Sequence, residues 1–312
     1  MGTAGAASAD VDNPPVLNSR VLLPILALTF NALVWGSSWW PFRQLEARGL
    51  HPLWATVFVY LLAVGVIGTL RPRAFGQLLR TPALWVLMAA SGITNAAFNW
   101  GVVIGDVVRV VLLFYLMPLW TVLLARLLLH EPLTRSAALR VAMALVGAAI
   151  VLWPASAGGG DWPLPRALPD WLGLIGGMSF ALNNVMLRRE AARPEEGRAL
   201  AMFVGGVVVA GTLACTLAAT QHLPWPPGPA PGWLLIALVL AGLFLLSNLA
   251  LQFGAARLPA NVTSVVMLSE VVFASGSAIA LGGGQLTMPL LLGGGLIVGA
   301  AVLAASGRSG AH

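Results

Sequence analysis

Lysine is absent from the 312 residues, cysteine occurs once, and Asp and Glu together number 11. Each shortage excludes something. Charged residues make up 9% of the chain and hydrophobic ones 58%, whereas about a quarter of a soluble domain is charged. No water-facing surface can be assembled from so few charges around so much apolar mass, and a lipid-facing exterior accounts for both figures. The lone Cys215 rules out an intrachain disulfide and leaves the redox compartment open. All 17 basic residues are Arg, a feature of composition rather than mechanism. The net charge of +6 reflects scarce acids, and the arginines are scattered over loops, so nucleic acid is excluded as a partner. His51, His130, His222 and His312 are remote from one another, and no His/Cys/Asp/Glu group has metal-ligand spacing. The Gly282-Gly283-Gly284 loop is followed by no Lys, and no Walker pattern occurs anywhere. Neither a cofactor nor a metal is expected, and nucleotide-driven work would need a separate subunit.

What the chain has is hydrophobic length. Residues 1–20 are small, polar and acidic, without the basic start or cleavage site of a secretory signal, and read as a disordered cytoplasmic tail. Ten apolar runs follow: 21–41, 52–70, 83–104, 107–129, 136–153, 171–187, 199–219, 233–253, 259–281 and 287–305. About 20 apolar helical residues cross a hydrocarbon core, and only helices satisfy their own backbone there without barrel patterning. The joints carry turn chemistry and charge, as at Arg71-Pro72-Arg73, Gly105-Asp106 and Glu131-Pro132. With the N-terminus inside, 13 of the 17 arginines fall in cytoplasmic segments, and only Arg43, Arg48, Arg109 and Arg166 fall outside. That split is the positive-inside pattern, and a helix miscounted by one would scramble it. Trp40, Trp54, Trp100, Trp153, Trp162, Trp171, Trp225 and Trp233 then lie near the outer interface as an aromatic belt.

The chain also carries an internal duplication. Segments 95–134 and 248–287, offset by 153 residues, share 7 of 40 positions. The informative pairs are Asn95 with Asn248, Asn99 with Gln252, Trp100 with Phe253, Gly101 with Gly254, and Leu133-Thr134 with Leu286-Thr287. Gly147-Ala148-Ala149 similarly matches Gly299-Ala300-Ala301. Five helices per half make the second copy inverted in the membrane, and inverted repeats place a substrate site between the halves near the midplane. The expected organisation is therefore a first repeat over 21–153, an extracytoplasmic linker over 154–170, a second repeat over 171–305 and a short cytoplasmic tail over 306–312.

Several local motifs resemble those of EamA-type carriers of the drug/metabolite transporter superfamily. Asn31 and Trp35-Gly36-Ser37-Ser38, followed by Trp39, are similar to that family's Trp-Gly-Ser opening. Met117-Pro118 through His130-Glu131-Pro132-Leu133-Thr134 resembles its Pro-containing helix and Gly-Glu-x-Leu-Thr ending. Ser269-Glu270-Val271 stands where the family often has Glu-Pro. The chain departs from the pattern at His130, at Val271 and at Gly283-Gly284-Gln285. The resemblance spans about residues 21–305 and implies an all-α, ten-helix secondary carrier with a central cavity. Within it, amino-acid exporters, including the aromatic type, are the preferred relatives.

Glu270 is the one acid deep in an apolar run. About 11 residues beyond Pro259, it would sit roughly 16 Å into the membrane, where a charge costs about 2.5–3.5 kcal/mol. It must be protonated, hydrated in a cavity or paired: either a proton-coupling or substrate-ammonium site, or a neutral packing carboxyl. Asn31, Asn95, Asn99, Asn183, Asn184, Asn248 and Gln252 both donate and accept, which suits a zwitterion or polar drug, or else interhelical bonds. Trp35, Trp39, Trp100, Phe114 and Tyr115 either stack on a flat substrate or simply pack. Pro118 interrupts helical bonding, as a gating hinge or a static kink. Asp106 and Arg109 read as an interfacial ion pair.

These readings point to a secondary transporter in a bacterial inner membrane, both termini cytoplasmic, exporting amino acids or related metabolites by alternating access. Its partners would be a small-molecule substrate and the lipid bilayer. A cationic-drug exporter of the same fold is the main alternative. An intramembrane enzyme would want clustered Asp, His or Lys, which the sequence lacks, and a scaffold would not need an inverted repeat.

Overall fold

The computed structural model describes residues 19–128, 135–152, 164–190, 192–255, 257, 266–267 and 269–306. Among them the chain is all-helical, with no strand. Each of the ten apolar runs contains helix. The first becomes α1 (Ser19–Ser37) and α2 (Trp39–Glu46), joined at Ser38, whose Oγ donates to the Trp35 carbonyl at 2.8 Å. Next come α3 (Pro52–Leu70) and α5 (Pro82–Ile104), each opened by a proline at its first position, where the missing N–H leaves no bond unmade. The fourth run divides into α6 (Val107–Phe114) and α7 (Met117–Leu128). The remainder are α8 (Arg135–Leu152), α9 (Leu168–Arg189), α10 (Glu195–Ala219), α11 (Pro231–Ala255), α12 (Ser269–Leu281) and α13 (Met288–Ser306). The start of the ninth run, including Pro259 and the depth reckoned from it, lies outside the described residues.

One helix sits where only a charged joint was expected: α4 (Arg73–Arg80). It buries Ala74 and Leu78, turns its arginines outward, and ends where Trp85 Nε1 donates to the Leu78 carbonyl at 2.9 Å. Eight residues starting at an Arg-Pro-Arg turn are too short and too polar to register as a span.

Among the described residues, six stretches are long and apolar enough to cross a membrane: Leu22–Glu46, Pro52–Leu70, Pro82–Ile104, Val107–Leu128, Glu195–Ala219 and Pro231–Leu251. Val141–Val151, Ser269–Leu281 and Met288–Ala300 are apolar but shorter. Large side chains stand outward along these helices, with Leu70 71%, Leu235 65% and Val272 69% exposed. So much exposed aliphatic surface suits lipid rather than water.

Helix packing sets the interior. α5 packs on α9 and α10, α10 on α3, α1 on α11 and α12, α9 on α6 and α7, and α8 on α13. Two contacts depend on absent side chains. A Cβ on Gly147 would stand 2.6 Å from the Gly293 carbonyl, and one on Gly293 2.5 Å from the Gly147 carbonyl, so α8 and α13 meet backbone to backbone. Gly92 and Gly205 do the same for α5 and α10.

Candidate functional site

The helices that cross in the middle of the bundle enclose a cavity of about 820 Å³, its open mouth included. Asn31 and Trp35 face it from α1, Asn95 from α5, Asn183 from α9, Asn248 from α11 and Glu270 from α12. The rest of the wall is mostly aromatic: Tyr60, Phe98, Phe114, Phe180, Phe203 and Phe244, with Met202 and Met267 between them. Trp35 stacks on Phe244 with centroids 4.6 Å apart and 12° between planes. Tyr60 packs on Phe203 at 5.4 Å, and Phe114 lies 5.0 Å from Phe98 and 5.3 Å from Phe180. None of the described lining residues is Arg or His, and Glu270 is the single carboxylate.

Hydrogen bonds fix several of these groups. Asn31 Nδ2 donates to the Ser247 carbonyl at 2.9 Å and to Ser247 Oγ at 2.6 Å, tying α1 to α11. Asn95 Nδ2 donates to the Ser91 carbonyl and Oγ at 2.8 and 3.2 Å, while its Oδ1 accepts from the Tyr60 hydroxyl at 2.6 Å. Tyr115 donates to Glu270 Oε2 at 3.1 Å from behind the cavity wall. Gly36 lets α1 lie against the backbone of Glu270 and Ala274, since a Cβ there would stand 2.7 Å from the Glu270 carbonyl.

Seven of the expected cavity residues meet here: Asn31, Trp35, Asn95, Asn183, Asn248 and Glu270 on the wall, and Tyr115 bonded to Glu270. Trp39 and Asn99 lie elsewhere. Trp39 is buried, its Nε1 donating to Ser277 Oγ at 2.9 Å, and Asn99 Nδ2 turns to Thr56 Oγ1 at 3.0 Å in a dry contact of α5 with α3. Trp100 stands edge-on to His51 at 5.4 Å. The side chains of Gln252 and Pro118 lie outside what is described. The break in the fourth run falls at Tyr115 and Leu116, so Pro118 is the second residue of α7, where proline is tolerated without loss of an interior bond.

Tyr60, Ser91, Phe180, Phe203 and Phe244 were not anticipated. The duplication carried the signal for some of them. At the same 153-residue offset, Ser91 pairs with Phe244, Asn95 with Asn248, Phe98 with Leu251, and Phe114 with Met267, and all eight line the cavity. Reading the repeat one turn before Asn95 reaches the first of these pairs.

At the end of the bundle nearest the α5–α6 turn, the charges pair differently from expectation. Asp106 caps α6, accepting from the Arg109 N–H at 2.9 Å and from the Gln285 N–H at 3.1 Å. The Arg109 guanidinium turns away to Asp170, with Nε and Nη2 at 2.7 and 3.0 Å, and gives Nη1 to the Val151 carbonyl at 2.8 Å. Arg43 donates to the carbonyls of Val103 and Gly105 at 3.2 and 2.6 Å. No group of His, Cys, Asp and Glu among the described residues has the proximity to hold a metal.

Comparison with known proteins follows the same lines. Fifteen chains of solved structure match. One, a crystal structure of a protein, is 21% identical, covers 92% of this chain and 96% of its own, and superposes with a TM-score of 0.54, which shows a shared fold. No curated protein sequence matches. Residues 22–153 match the EamA-like transporter family. The likeness to a transporter family is thus carried by the first part of the all-helical chain.

Proposed function

We propose that this protein is a multi-pass membrane transporter that exports amino acids or related small metabolites from a bacterial cytoplasm, by alternating access around the central cavity. Both termini face the cytoplasm in this reading, following the arginine distribution. The observation that carries it is the cavity itself, which sets amides and one carboxylate among aromatic rings.

An inverted-repeat organisation, with halves over 21–153 and 171–305, is supported by helix contacts that come in matched sets. Number the ten runs in order and move each by five. The contact of the third with the sixth (α5 on α9) becomes that of the eighth with the first (α11 on α1). The fourth with the sixth (α6 and α7 on α9) becomes the ninth with the first (α12 on α1). The fifth with the tenth (α8 on α13) maps onto itself. Gly101 and Gly254 repeat the pattern in detail. A Cβ on Gly101 would meet Leu172 and the Pro169 carbonyl, and one on Gly254 would meet Leu28 and the Pro24 carbonyl. Such symmetry gives a carrier two related gates around one site.

The test is counterflow in proteoliposomes holding the full-length protein, loaded with amino acids in turn. Saturable exchange of at least one, abolished by blocking the cavity with Asn95→Trp, is the expected result. Exchange of none, with the protein folded and inserted, overturns the amino-acid reading.

A further inference from the structure

The cavity is lopsided in its hydrogen bonding. Several of its amide and hydroxyl donors are spent within the protein. Both N–H groups of Asn31 go to Ser247, both of Asn95 go to Ser91, the Tyr60 hydroxyl goes to Asn95, and Thr94 Oγ1 donates to the Ala90 carbonyl at 2.8 Å. The acceptors are not. Asn31 Oδ1 and Asn183 Oδ1 are both buried and have no hydrogen-bond partner, although their residues are only 1% and 2% exposed. The orientation of Asn31 is not arbitrary, because the Ser247 carbonyl accepts only, so the nitrogen must face it and the oxygen must face away. Glu270 adds carboxylate oxygens to the same wall, of which only Oε2 receives the Tyr115 hydroxyl. A buried acceptor left unmatched is unfavourable, so two of them on residues that line one cavity mark a place for a donor.

We infer that the cavity recognises its substrate through an ammonium group, set against Glu270, Asn31 Oδ1 and Asn183 Oδ1, and makes no use of a substrate carboxylate. An ammonium has three N–H donors and no acceptor, which matches this set of groups. The ring faces of Trp35, Phe244 and Phe180 favour both the cation and an aromatic body attached to it. A carboxylate entering the same space would meet no Arg or His among the described lining residues and would add a second negative charge beside Glu270. The substrate class is therefore organic amines with an apolar, preferably aromatic body, amino acids being held by their amino end alone. The inference rests on the transport reading above and narrows it.

Counterflow with four probes of one skeleton decides it: phenylalanine, phenethylamine, N-acetylphenylalanine and phenylpropionate. Phenethylamine should compete at least as well as phenylalanine, and the two probes without an ammonium should compete at least about tenfold more weakly, the loss expected for a bond to a charged group. Asn183→Leu should raise the half-saturation concentration for phenethylamine about tenfold. Should that variant fold poorly, ligand-induced thermal stabilisation of the unmodified protein in detergent, with the same four probes, must give the same ranking. Exchange of amines without amino acids supports the ammonium site while defeating amino-acid export. Exchange of N-acetylphenylalanine or phenylpropionate in preference to phenethylamine overturns the ammonium site and leaves amino-acid export standing.

Discussion

Tyr115 and Glu270, 155 residues apart, meet with the phenol donating to the carboxylate at 3.1 Å. The contact joins the break between α6 and α7 to the first turn of α12, and it holds from behind the one acid among the described residues of the cavity wall. A carboxylate so placed needs either a donor or a cation, and the tyrosine supplies the donor permanently while the cavity leaves room for the cation.

Glu270→Gln should therefore leave insertion intact and reduce substrate exchange by more than tenfold, because Gln keeps size and hydrogen bonding but loses the charge. Tyr115→Phe removes a hydrogen bond of about 1.5–3 kcal/mol if the carboxylate is charged, and should weaken exchange by a smaller factor. Combining the two should cost little more than Glu270→Gln alone, since the tyrosine acts through that carboxylate. Additive losses in proteoliposome exchange would mean that the two residues work independently.

How much of this was legible in the sequence depends on the range of the contact. α3 starts and ends where the run 52–70 does, because His51-Pro52 and Arg71-Pro72 mark both ends. Asn95 and Asn248 were legible as a pair because the duplication aligned them. Tyr60 was not, because a membrane helix is apolar on every face and periodicity no longer says which face points inward. Arg109 illustrates the other limit. A carboxylate three residues earlier looked like its partner, but the true one is 61 residues on and came within reach only when α9 packed against α6.

Glycine placement gives a sharper stability test. Gly205 faces the Met88 carbonyl so closely that any Cβ must push α10 away from α5, whereas a Cβ on Gly65 meets nothing within 4 Å. Gly205→Ala should destabilise by about 1–3 kcal/mol and Gly65→Ala should be neutral or stabilising by up to about 1 kcal/mol. Thermal unfolding in detergent measures both. Equal midpoints for the two variants would contradict the close α5–α10 approach.

His51 caps α3, its Nδ1 accepting from the Leu53 N–H at 3.2 Å. Burial lowers its imidazole from 6.5 to about 4, so the unfolded chain takes up the proton first. The stability it contributes is complete above about pH 6.5 and is lost as pH falls toward 4. Between pH 6.5 and 4.5 the unfolding midpoint should fall further for the unmodified protein than for His51→Asn, which caps without titrating. Parallel falls would assign the acid sensitivity to other groups.

Orientation is checked by labelling from outside with an impermeant thiol reagent, in a Cys215→Ala background. A cysteine at His222, beyond the end of α10, should react, and one at Arg73, beyond α3, should not. The reverse result would turn the protein over in the membrane and defeat the arginine-based orientation.

The Arg109–Asp170 pair yields the prediction that bears most on mechanism. Asp170 stands in the first turn of α9, where a carboxylate is favoured by the helix N-terminus. It receives two guanidinium bonds from α6, and Arg109 also holds the last turn of α8 through Val151. In the proposed repeat organisation α6 and α8 belong to one half and α9 to the other, so this knot joins the halves at the outer end. Opening the cavity outward must loosen it. Asp170→Asn keeps the size but strips the charge, and because the Arg109 side chain is 31% exposed its head can rehydrate, limiting the loss to about 1–3 kcal/mol. Even about 1.4 kcal/mol taken from the closed form multiplies the outward-open population tenfold. A cysteine at Thr94 on the cavity wall, with Cys215→Ala, should then label from outside about ten times faster in Asp170→Asn than with Asp170 intact. A lowered unfolding midpoint with unchanged labelling would make the pair a structural tie and not a gate.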